Sequence, residues 1–201
     1  MTEARNPSQQ ELLERIEVIE TMMRDGRRSV EYWGWTQVLW GTAYLVAIGW
    51  SVVSGKPGLA WPVSMFAAAI LSAVIISRRS AATPGNSLRR ALQGIWTAMG
   101  IAIFLYCVCL GASRHFDLNA MIAAVEIFIG AANFASALTL RWNLQAAVGV
   151  LWWAAGIATL FVAQSLVLPI LAGITLVGMI GFGLYLMVRQ SRDRRARASH
   201  A

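Results

Sequence analysis

One carboxyl side chain stands alone in apolar surroundings. Glu126 is the only formal charge in the run from Leu118 to Leu140. It lies eight residues from the start of that run, which at about 1.5 Å per residue puts it roughly 12 Å inside. A charged carboxylate at membrane depth costs roughly 2.5–3.5 kcal/mol on insertion scales, so the side chain should be protonated, paired or wetted. Gly130, Asn133 and Ala137 follow at four, seven and eleven residues and share its helix face. A stripe of small and polar residues suits close helix packing rather than lipid, so Glu126 is expected to point into a bundle. No apolar run carries a Lys or Arg to neutralise it, and Tyr106, Ser51 and Ser54 are the candidate partners by depth. Two chemistries fit: a proton or cation site formed by Glu126 with Asn133, or a hydrogen bond that ties helices together.

The other reactive side chains offer less. Cys107 and Cys109 are two residues apart on one helical run, so their side chains diverge by about 200° and cannot form a disulfide with each other. His115 and Asp117 could touch a metal but lack a third ligand, and a plain loop is the simpler account. There is no Ser/His/Asp set, no metal-ligand cluster, no phosphate loop and no pair of intramembrane histidines. Neither an enzyme nor a cofactor is expected.

The elements that position Glu126 are six apolar runs, at residues 32–53, 59–77, 92–112, 118–140, 144–162 and 166–188. At 19 to 23 residues each, they match a hydrocarbon layer of roughly 30 Å. Over the whole chain 57% of residues are hydrophobic and 13% charged, and every charge except Glu126 falls outside the runs. That segregation excludes an ordinary soluble domain. The runs also lack the alternation of barrel strands. The expected fold is all-α: a polytopic integral membrane protein with a six-helix transmembrane domain over 32–188, a cytoplasmic segment at 1–31 and a basic tail at 189–201.

Of 17 basic residues, all but Lys56 and Arg114 fall at the N-terminal segment, the second and fourth loops and the tail. Cytoplasmic flanks retain Lys and Arg, so both termini are expected in the cytoplasm. This same placement explains the net charge of +7 without nucleic acid. The tail from Arg189 to Arg197 could attract anionic lipid headgroups or remain solvated. With 16 arginines to one lysine, a GC-rich bacterial genome and the bacterial inner membrane are the expected setting.

Outside the spans, one stretch has a readable design. Ser8 and Glu11 form a capping box, and Asp25-Gly26 supplies a stop, predicting an amphipathic helix from about 9 to 25. Leu12, Ile16, Ile19 and Met23 step by four, three and four, the spacing of a coiled-coil seam. The helix carries five acids against two arginines, so an anionic leaflet would repel it and a protein surface suits it better. That surface could be its own bundle, a second copy or a cytoplasmic partner.

Gln37, Gln93 and Gln145 recur in the inner parts of the odd-numbered spans, consistent with three helical hairpins or with similarity that bilayer composition alone imposes. Span six carries Pro169, Gly173, Gly178, Gly181 and Gly183, for which close packing is the default account. Two functions follow as expectations. The first is a non-catalytic membrane protein acting through its N-terminal helix in an interaction or regulatory role. The second is a small oligomeric transporter or channel for protons, cations or a cationic solute that uses Glu126.

Overall fold

The computed structural model describes residues 14–17, 34–55, 57–80, 87–113 and 116–198, and these contain no strand. Five helices come first: α1 (Gly34–Ser54), α2 (Pro57–Ser80), α3 (Ser87–Ala112), α4 (Leu118–Leu140) and α5 (Asn143–Phe161). The sixth span is composite. Helix α6 (Gln164–Thr175) continues through a π-helical segment (Leu176–Gly181) into α7 (Phe182–Ala198). Six helices are thus long and apolar enough to cross a membrane, as a multi-pass membrane protein requires. The expected spans all fall on them. The helices overrun the expected ends chiefly at α2, α3 and α7, where polar and basic flanks continue the helical backbone.

Continuous helices are what an apolar solvent selects, because each backbone N–H and C=O then finds its partner within the segment. Pro57 opens α2, where its missing N–H costs no bond. Pro62 and Pro169 lie inside α2 and α6, and both helices continue past them.

Helix α4 is central. It buries a broad face, about half of its circumference, from Ile122 through Leu140, and packs most extensively on α5. Helix α1 lies against α6, the π segment and α7, while α2 rests on α1 and α3 on α4. The outer two helices touch through an edge-on contact of Phe66 and Phe104, centroids 6.3 Å apart. The buried stripe of α2 is Ala60, Ser64, Ala68 and Ser72, one small residue per turn, which brings that helix close to its neighbour. The three hairpins read from the glutamine repeat are neighbouring pairs in the bundle. Even so, the tightest pair, α4 with α5, straddles two of them.

Two close approaches set the geometry. A Cβ on Gly34 would lie 2.7 Å from the Gly183 carbonyl oxygen, and one on Gly183 would lie 2.6 Å from that of Gly34, so α1 and α7 cross backbone to backbone. Between α4 and α5 the chain reverses over two residues. Arg141 adopts the left-handed conformation at φ 50° and the Trp142 N–H closes on the Ala137 carbonyl at 2.9 Å. Trp142 then packs at a tilt on Phe182 of α7, ring centroids 5.8 Å apart, with the Arg189 guanidinium 5.9 Å from its ring.

Of the N-terminal helix expected at 9–25, Glu14, Arg15, Ile16 and Glu17 are helical and exposed; Leu12, Ile19 and Met23 lie outside the described residues.

Candidate functional site

Glu126 is fully enclosed at 0% exposure, in the seam between α4 and α5. Its partner is Thr159 of α5, whose Oγ1 donates to Glu126 Oε2 at 2.7 Å. None of the three partners expected from depth takes that place. Tyr106 donates to the Ala120 carbonyl at 3.5 Å, Ser51 to that of Ala47 and Ser54 to that of Trp50. Depth counting misses Thr159 because it treats side chains as level with their Cα atoms. Each Cα–Cβ bond leans toward its helix N-terminus, and α4 and α5 run antiparallel, so the two side chains lean toward each other across several ångströms. Thr159 is also atypical among the bundle hydroxyls. Thr42, Ser51 and Thr139 donate to the carbonyl four residues back on their own helix, leaving no proton for a neighbour's carboxylate.

The seam around this bond is fitted at backbone level. Gly130 and Gly149 face each other, and a Cβ on Gly149 would lie 2.9 Å from the Gly130 carbonyl oxygen and 3.0 Å from Phe134 N. About two turns further along α5, Gly156 sits over Ala123 and Glu126, with room for no more than its hydrogen. The Trp153 indole fills the groove beside Gly130, donates to the Ile127 carbonyl at 3.1 Å and packs on Phe134 with centroids 4.9 Å apart. At the far end Asp117 caps α4, accepting from the N–H groups of Asn119 and Ala120. The Asn119 amide donates to the carbonyls of Thr159 and Val162, both at 2.9 Å, and so satisfies acceptors that the end of α5 leaves free. Asp117 therefore works as a helix cap; its expected companion His115 lies outside the described residues. Among the described residues no group of three metal-binding side chains occurs.

Asn133 shares the Glu126 face and is 1% exposed, yet the two do not bond. Its amide donates to the Ile129 carbonyl at 3.0 Å, while Asn133 Oδ1 and Glu126 Oε1 have no hydrogen-bond partner. Cys107 and Cys109 are both free thiols.

Sequence reasoning did not find the cavity at the end of the bundle that carries Arg141. Gln37 of α1, Leu92 and Trp96 of α3, Ser136 of α4, Gln145 of α5 and Phe182 of α7 line about 20 Å³ there. Two of the three repeating glutamines meet in it, whereas α3 presents Leu92 and Trp96 in place of Gln93. A second unforeseen feature is the π-helical turn, signalled only by Gly178 and Gly181. Gly178 receives the Trp152 indole, whose nitrogen would lie 2.6 Å from a Cβ at that position.

Among the described residues the fold is all-helical, with six bilayer-length helices and one enclosed carboxyl, that of Glu126. Comparison with protein-family models, with the curated proteins and with the solved structures gives no match.

Proposed function

We propose that this chain is a non-catalytic membrane protein whose bundle anchors an N-terminal helix that engages a protein partner. The observation that carries this reading is Ile16. It belongs to the apolar stripe of that helix and is 53% exposed, so the bundle does not take it up. Positive-inside topology would put the helix in the cytoplasm beside the basic tail. A second copy satisfies the seam chemically. With Ile16 and Met23 as a positions and Leu12 and Ile19 as d positions, Arg15 falls at g and Glu20 at the following e, opposite charges that face each other in a parallel pair. Copies inserted with one shared topology would have their N-termini on the same side of the membrane, which favours a parallel pair. Crosslinking in native membranes tests this. The full chain should give a discrete adduct that disappears on deletion of residues 1–25 and in Ile16→Asp; adducts unchanged in both variants would refute it.

A second reading, proton or cation transport by way of Glu126, is favoured by one observation: Glu126 Oε1 and Asn133 Oδ1 are enclosed and unpartnered on a single face. The glycine-fitted seam around Glu126 argues against it. In liposomes, transport by this route would give pH-dependent flux that Glu126→Gln abolishes.

A further inference from the structure

The cavity near Arg141 combines three properties. It has volume, about 20 Å³, enough for about one water molecule. It has two enclosed polar atoms in its wall, Ser136 Oγ at 0% exposure and Gln145 Oε1 at 2%, neither with a hydrogen-bond partner. And it lies close to the helix ends, Gln37 being the fourth residue of α1 and Gln145 the third of α5.

Ser136 could have bonded its own helix, as Ser51, Thr42 and Thr139 do. Its hydroxyl instead remains unbonded in the cavity wall. Gln145 Oε1 can only accept, whereas Ser136 Oγ can donate or accept. A group that satisfies both must donate to the first and exchange a bond with the second, which is the chemistry of O–H. No charged side chain lines the space, so an ion has nothing there to offset its dehydration. The volume fits water and excludes a larger hydroxylic molecule.

We infer that Ser136 and Gln145 form a hydration site within the bundle, holding a water that donates to Gln145 Oε1 and bonds Ser136 Oγ, with Gln37 and Trp96 on its more exposed side. The site is separate from the N-terminal helix and from the Glu126 seam. It makes the Arg141 end of the bundle wet where the Asn119 end is fastened by direct bonds.

Water-edited solid-state NMR of the full chain in bilayers, labelled at glutamine and tryptophan side-chain nitrogens, tests the inference. The side-chain signal of Gln145, assigned by its loss in Gln145→Leu, should receive water magnetisation at the same short mixing times as the exposed Gln164 amide. It should fall to the level of the enclosed Trp152 indole in Ser136→Val, whose added methyl occupies the space. Polarisation of native Gln145 no faster than Trp152 would overturn the site, and this readout needs no variant to fold beyond those used to assign the two signals. Hydration unchanged in a folded Ser136→Val would also overturn it.

Discussion

Thr159 Oγ1 donates to Glu126 Oε2 across the α4–α5 seam at 2.7 Å, and in doing so forgoes the carbonyl on its own helix. The bond gives an enclosed carboxyl a partner and fixes the register of two antiparallel helices. A double-mutant cycle with Thr159→Val and Glu126→Leu should show coupling of about 0.6–1.7 kcal/mol, the range found for hydrogen bonds between membrane helices. Thermal or denaturant unfolding in detergent reads it, and additivity of the two single effects would show that the bond contributes nothing. Thr159→Val alone should cost more than the double variant, because it leaves the carboxyl enclosed without any partner.

The Gly130–Gly149 contact makes a sharper demand on size. Gly149→Ala would place a methyl 2.9 Å from the Gly130 carbonyl oxygen, whereas Gly173→Ala would meet nothing within 4 Å. The first should destabilise by about 1–3 kcal/mol, as overpacking does. The second should be neutral or slightly stabilising, since Ala is the better helix former. Equal melting temperatures for the two would contradict the contact.

Asn119→Ala removes both amide bonds to the end of α5 and should cost about 1–2 kcal/mol. The loss should be local. Hydrogen exchange should quicken at residues 160–163 and stay unchanged near Arg141, while a uniform rise along α5 would point to a different role for Asn119.

Orientation can be read directly. In a Cys107→Ala, Cys109→Ala background, Lys56→Cys should react with an impermeant thiol reagent applied from outside and Ser87→Cys only after permeabilisation. Equal labelling of both from outside would reject two cytoplasmic termini.

The spans were legible because charge is segregated so completely: Glu126 is the only formal charge in any of the six runs, and each run became a helix. The enclosure of Glu126 was legible too, from Gly130, Asn133 and Ala137 on its face. Thr159 was not, because a threonine in a membrane helix can bond its own backbone, as Thr42 and Thr139 do, and nothing in the sequence marks one that reaches across instead. The meeting of Ser136 with Gln37 and Gln145 depends on which helices become neighbours, and periodicity along a single helix carries no information about that. The π turn escaped for a related reason, since glycines at 178 and 181 are equally at home in an ordinary membrane helix.

The α4–α5 hairpin is fastened at its turn, along its length and at its open end, and none of those bonds needs a third helix. Membrane helices insert first and associate afterwards. A pair that carries its own fastenings can close as soon as α5 has left the insertion machinery, before α6 has been synthesised.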